Sequence, residues 1–180
     1  MLHAALDTLV RLLAPLLPFT AEEVWESMPA KRTEGSVHLL EFAPPAPARR
    51  DPGLESEWEV ILLARQAVTQ ELEKLRAKKT IGASLEAEVE IAAPDARSQA
   101  ILTARAADLE EAFIVSSVRL VTDEGEWSGV PTAGEEGFRV AAHRAPGEKC
   151  QRCWRYRMDV GRDPAHAGLC AECVEALIRS

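Results

Sequence analysis

The sequence predicts an α+β protein of several modules: a helical-bundle remnant, a small α/β connecting unit and a C-terminal four-cysteine module. Three observations predict it. Apolar residues recur at helical spacing over residues 2 to 28. A long amphipathic helix precedes a strictly alternating segment at 84 to 92. All four cysteines fall in the last 31 residues as two Cys-x2-Cys pairs.

Leu2, Leu6, Leu9, Val10, Leu12 and Leu13 favour one face of a first helix, which Pro15 and Pro18 stop. Thr20-Ala21-Glu22-Glu23 has the form of a capping box, which predicts a second helix starting at Thr20 and carrying Val24, Trp25 and Met28. So small and apolar a hairpin is expected to complete a bundle whose other members lie outside this sequence. Residues 36 to 42 are expected to be extended. The segment APPAPARRDPG (43 to 53) reads as a linker, since four prolines in eleven residues suit neither helix nor central strand.

From Leu54 to about Lys79, Trp58, Ile61, Leu62, Val68, Leu72 and Leu75 predict one long helix, with Lys74, Arg76, Lys78 and Lys79 placed late to match its dipole. Leu85, Ala87, Val89 and Ile91 alternate with Glu86, Glu88 and Glu90, predicting a half-buried strand with a solvated acidic face. Asp95 is placed to cap a helix running through Ala96, Ala100, Ile101, Ala104 and Leu109. Phe113 to Val121 and Phe138 to Ala142 read as further strands around a Gly-rich turn region at 125 to 137. The expected boundaries are 1–43 for the helical module, 44–53 for the linker, 54–146 for the α/β unit and 147–180 for the cysteine module.

Hydrophobic content of 47% with 28% charged residues is globular, and no apolar run approaches the roughly 18 residues of a membrane span. No secretory signal precedes the first helix, so a reducing, cytoplasmic setting is expected. The net charge of -8 is uneven: residues 143 to 180 hold 7 Lys/Arg against 5 Asp/Glu, leaving 14 against 24 in the rest. The basic excess travels with the cysteines.

Cys150-x2-Cys153-x16-Cys170-x2-Cys173 has the spacing with which two tight-turn knuckles surround one zinc ion. Disulfides, redox chemistry or another thiophilic metal are the alternatives, disfavoured by the expected compartment and by the second pair. Four thiolates would fill a tetrahedron, so the zinc would be structural. His143 and His166 are expected to be bystanders. Lys149, Arg152, Arg155, Arg157 and Arg162 interleave with Trp154 and Tyr156, a pattern suited to phosphates and unpaired bases of RNA. Trp154, directly after a ligand, is expected to pack beneath the knuckle more than to read a base. The pairs Glu22/Glu23, Glu110/Glu111 and Glu135/Glu136 read as solvated surface, and Ser116 and Ser117 lack a recognisable His/Asp arrangement.

LLAPLLPFTAEEVW (12 to 25), EKLRAKKTIGASLEAEVEI (73 to 91) and GEKCQRCWRY with CAEC (147 to 173), in that order, resemble the C-terminal end of bacterial-type isoleucyl-tRNA synthetases. The resemblance implies that residues 1 to 43 close an anticodon-binding helical bundle. It implies a zinc-binding tail, with Cys150, Cys153, Cys170 and Cys173 as ligands, that helps recognise the anticodon region of the isoleucine tRNA. The family's parent enzyme uses ATP and magnesium. Here the His-x-Gly-His-like motif, the Lys-Met-Ser-Lys-Ser-like loop and a Rossmann nucleotide site are missing, and KKTIGAS (78 to 84) lacks the loop's order. The expectation is a non-catalytic, monomeric tRNA-recognition part that serves a catalytic body. A free-standing zinc-ribbon adaptor for protein, or a DNA- or ribosome-associated zinc module, is the alternative.

Overall fold

The computed structural model describes residues 2–29, 34–42, 50–122, 127–134 and 137–179. The chain divides into two compact units, Met1–Arg50 and Asp51–Ser180. No helix among the described residues is long and apolar enough to cross a membrane.

In the first unit, α1 (Leu2–Leu13) and α2 (Pro18–Ser27) pack around Val10, Ala14, Ala21, Trp25, Met28 and Val37. The capping box does not form. Pro18 stands in the first turn, where a missing N–H costs nothing and a fixed φ is already helical, so α2 begins before Thr20 and its cap, Leu17, gives no side-chain bond. The predicted extended segment is instead a single 3-10 turn, Val37–Leu39. Ser36 caps that turn by accepting from the His38 amide at 3.2 Å, and Glu22 accepts from the Ser36 hydroxyl at 2.8 Å and the Val37 amide at 3.2 Å. Leu2, Leu9, Leu16 and Phe19 remain exposed, Phe19 at 89%.

The second unit opens with α3 (Pro52–Ala77), capped by Asp51, whose carboxylate accepts from the Leu54 amide at 3.0 Å. The end of the expected linker is therefore helix cap and first turn, while its residues 43 to 49 lie outside the described ones. β1 (Ala87–Ala92) pairs in parallel with β2 (Ser117–Leu120) and antiparallel with β4 (Arg139–Arg144); β3 (Thr132–Ala133) extends the far edge. The sheet order is β2-β1-β4-β3. The expected single helix between β1 and β2 is two, α4 (Ala96–Ala104), capped by Asp95, and α5 (Ala106–Phe113), with Arg105 between them. These helices and α3 share a core with one sheet face: Ile61, Val68, Leu72, Val89, Ile91, Leu102, Leu109, Phe113, Phe138 and Val140 are all buried.

The acidic face of β1 is not simply solvated. Glu90 is only 4% exposed, with Ser128 lying against it. It accepts from the Ser128 amide at 2.8 Å and pairs with Arg119. Burial pushes the Glu90 carboxyl up, but hydrogen bonds from Ser128 and Arg119 outweigh it and hold it below the usual carboxylate range.

Candidate metal centre

A β-hairpin, β5 (Glu148–Lys149) with β6 (Tyr156–Arg157), carries the first knuckle, and α6 (Ala171–Ile178) carries the second. Gly147 makes the hairpin's approach, at φ +86°, where a Cβ would lie 2.4 Å from the Arg157 carbonyl oxygen. The knuckle closes through the Cys150 amide donating to the Arg155 carbonyl at 2.9 Å and the Trp154 amide to the Cys150 carbonyl at 3.0 Å. The Gln151 amide donates to the Gly168 carbonyl at 2.9 Å, tying the knuckles together. Cys170 caps α6 and Cys173 lies in its first turn, so both sulfurs come from one helix start.

The four sulfurs lie within 4.8 Å of one another, and Cys153 Sγ is 3.8 Å from Cys170 Sγ. All four cysteines are free. A tetrahedron with zinc–sulfur arms of about 2.3 Å has edges of about 3.8 Å, so the donor set and its spacing fit a zinc ion. Burial pushes the Cys170 thiol up to about 12 and also raises Cys153. For Cys150 burial acts in the same direction, but amides of Cys153, Cys170 and Arg152 outweigh it and bring the thiol down to about 6. A cation seated among the sulfurs would reverse the burial effect, since a coordinating thiol is deprotonated outright. His166 is turned to Asp163 at 3.0 Å, and His143 sits in β4 opposite Glu88; neither belongs to the cluster.

The basic and aromatic residues around the cluster divide into two groups. Lys149, Arg152, Trp154 and Arg162 are exposed, although Arg152 also donates to the Cys173 carbonyl at 3.2 Å. Arg155 and Arg157 turn inward. Arg155 is 13% exposed and stands 3.1 Å from Glu110, with Glu111 and Glu172 at 3.8 Å. Arg157 donates to both Glu110 oxygens, at 3.1 and 2.5 Å, a bond that raises the guanidinium further above its ordinary range. Glu110 is thus not the solvated residue its sequence neighbourhood suggests; it anchors the hairpin to α5. Ser116 is a second anchor. Fully buried, it donates to the Leu85 carbonyl and accepts from the Tyr156 amide at 2.7 Å. Both anchors escaped sequence reasoning because their partners stand 40 and 47 residues away, and no local pattern marks them.

Trp154 is also a correction. The residue is 59% exposed and is not part of the knuckle's own small core, which is the cysteines with Val160 and Leu169. Its backbone is left-handed, at φ +65°, a conformation that glycine adopts freely and other residues adopt at a cost of about 1 to 3 kcal/mol. Lys149 covers the ring from 5.3 Å. Tyr156 is half-buried, with Arg144 5.9 Å from its ring.

Residues 1–91, half of the chain, match the family model described as the anticodon-binding domain of tRNA ligase. The chain belongs to this anticodon-binding family. Residues 147–176 of this anticodon-binding chain match a second model, a zinc finger found in FPG and IleRS, over the cysteine cluster. Among curated proteins the chain is 43% identical to the isoleucine–tRNA ligase of Geobacter sulfurreducens over 98% of its own length and 19% of that protein's. It is 40% identical to that of Syntrophotalea carbinolica, with the same coverage, and 38% identical to that of Exiguobacterium sibiricum, over 94% of the chain and 18% of the relative. The anticodon-binding chain thus spans about a fifth of the length of the curated relatives it matches.

Proposed function

We propose that this chain is the non-catalytic tRNA-recognising part of an isoleucine–tRNA ligase. In this reading Cys150, Cys153, Cys170 and Cys173 hold one structural zinc ion, and the hairpin presents Trp154 to an unpaired base in the anticodon region of the isoleucine tRNA. The observation that carries the reading is the Trp154 ring itself. It is exposed on a strained backbone turn beside the metal cluster, with a lysine over one side. Core packing does not account for such a ring, whereas stacking a base on it would contribute about 1 to 3 kcal/mol. Lys149, Arg152 and Arg162 supply charge around it, and Tyr156 and the inward Arg155 and Arg157 position the hairpin.

Zinc supplies cross-linking and no chemistry, because four thiolates leave no open coordination position. Its binding, about 10 to 16 kcal/mol in small zinc peptides, is of the size needed to order a segment of thirty residues. The whole protein would join isoleucine to its tRNA with ATP and magnesium in a catalytic body supplied by the remainder of a longer chain, working as a monomer in the cytoplasm. The exposed apolar side chains of α1 and the turn after it are of the kind that further bundle helices cover. This chain, lacking the nucleotide motifs, should give no isoleucine-dependent ATP–pyrophosphate exchange.

The test is titration of the zinc-loaded chain with isoleucine tRNA and with the same tRNA carrying altered anticodon bases, at one stated salt concentration. The expected result is a preference for the native anticodon that Trp154→Ala removes while the chain keeps one zinc. Equal binding of both tRNAs by the parent chain refutes the reading.

A further inference from the structure

Lys78-Lys79 and the rest of the segment KKTIGAS follow the last turn of α3. The amides of Lys78, Lys79 and Thr80 donate to the carbonyls of Lys74, Arg76 and Leu75 at 3.1, 2.9 and 3.0 Å, closing the C-terminus of α3. Lys79 occupies the left-handed position of that cap, at φ +57°, where glycine is the unstrained choice. Attraction to the helix dipole accounts for basic residues in the last turn, and Lys74 and Arg76 already stand there. It does not account for a lysine at the strained position just beyond. Lys78 and Lys79 are both exposed.

Contacts lead from this cap to the knuckle. Thr80, next to Lys79, accepts through its carbonyl from Arg144 Nη1 at 3.3 Å. The Arg144 guanidinium lies 5.9 Å from the Tyr156 ring, Tyr156 is the cross-strand partner of Lys149, and Lys149 lies 5.3 Å from the Trp154 ring. The backbone just after Lys78 and Lys79 is therefore linked, through Arg144, Tyr156 and Lys149, to the Trp154 ring. Glu86, 3.6 Å from Arg144, partly answers one of the charges, and Glu148 alternates with Lys149 along β5. The two ends of the path, Lys79 and Trp154, are both non-glycine residues at positive φ. Such strain persists where the surroundings over-determine it, and it clusters at functional positions.

We infer that this ridge is a phosphate track: Lys78, Lys79, Arg144 and Lys149 hold the sugar–phosphate backbone of the RNA whose unpaired base meets Trp154. The inference rests on the function proposed above and extends it to a second element, the end of α3. Cations alternating with rings suit a nucleic-acid strand, in which phosphate contacts set the register and base contacts specify.

Lys79→Gly separates this role from a structural one, because it removes the charge and the strain together. With the zinc-loaded chain, Lys79→Gly should keep or raise Tm while weakening isoleucine-tRNA binding. Combined with Lys78→Ala, it should reduce the slope of log affinity against log salt by about 0.7 to 0.9 per lost phosphate contact, leaving the preference for the native anticodon intact. An unchanged slope in the double variant, with the parent's anticodon preference present, overturns the track and leaves the Trp154 reading standing. A fall in Tm with the slope unchanged marks Lys79 as a helix cap and also overturns it. A parent chain with no anticodon preference removes the Trp154 reading and the track with it.

Discussion

Glu110→Ala tests what holds the metal hairpin to the rest of its unit. Glu110 receives two bonds from Arg157 and lies 3.1 Å from Arg155, and the three side chains are between 13% and 24% exposed. A hydrogen bond to a charged group contributes about 1.5 to 3 kcal/mol, and removing one partner of a buried pair costs about 3 to 5 kcal/mol. Both guanidiniums have weaker partners in reserve, Glu172 at 3.8 and 3.9 Å and Glu111 at 3.8 Å from Arg155, and water reaches the site. The expected loss is therefore about 2 to 4 kcal/mol. With a urea m-value of about 2 kcal/mol/M, the middle of the usual range, the unfolding midpoint should fall by about 1 to 2 M. The assay is urea unfolding of the zinc-loaded chain, with a double-mutant cycle through Arg157→Ala to isolate the pair. A Glu110→Ala midpoint within experimental error of the parent, or a coupling energy near zero, would show that the ion pairs do not hold the hairpin.

Ser116→Ala removes a buried hydroxyl that serves the Leu85 carbonyl and the Tyr156 amide, so it should cost about 1 to 3 kcal/mol and speed hydrogen exchange at Tyr156. Exchange there unchanged from the parent would mean that the amide has another partner. Chelating the metal should melt residues 147 to 179 while the sheet core around Phe138 and Ile91 persists, seen as loss of hairpin amide protection ahead of loss at β1; a single concerted loss would contradict two separable layers. Glu90, its carboxyl held low, contributes stability that is complete above its unfolded value near pH 4.5 and is lost as pH falls through the lower folded value. Glu90→Gln should be less stable than the parent at pH 7, by about 1 to 3 kcal/mol, and the gap should close on acidification; a gap independent of pH would assign the loss to packing.

Several features were legible because their physics is local. The α3 face follows from apolar spacing, Asp95 is a cap readable within four residues, and Cys-x2-Cys repeated twice has metal-ligand spacing; Asp51, the α3 cap, is hidden in what reads as a linker. The capping box at Thr20 misled because a proline two residues earlier offered a better start, which local reading could have weighed. Arg155 and Arg157 looked like free cations because the surrounding sequence shows no partner. Their neutralising carboxylate is on α5, brought there by the crossover between β1 and β2.

The sequence alone therefore determined the long helix, the central strand, the paired-cysteine pattern and the basic excess around it, since periodicity and cysteine spacing act over a few residues. Only the tertiary structure decided which charges face solvent and which are consumed internally. It buried Glu90 against Ser128 and Arg119, docked the hairpin on Glu110 and Ser116, and turned Trp154 outward. Burial and ion pairing depend on what folding brings near a residue, and those neighbours come from 38, 40 and 47 positions away.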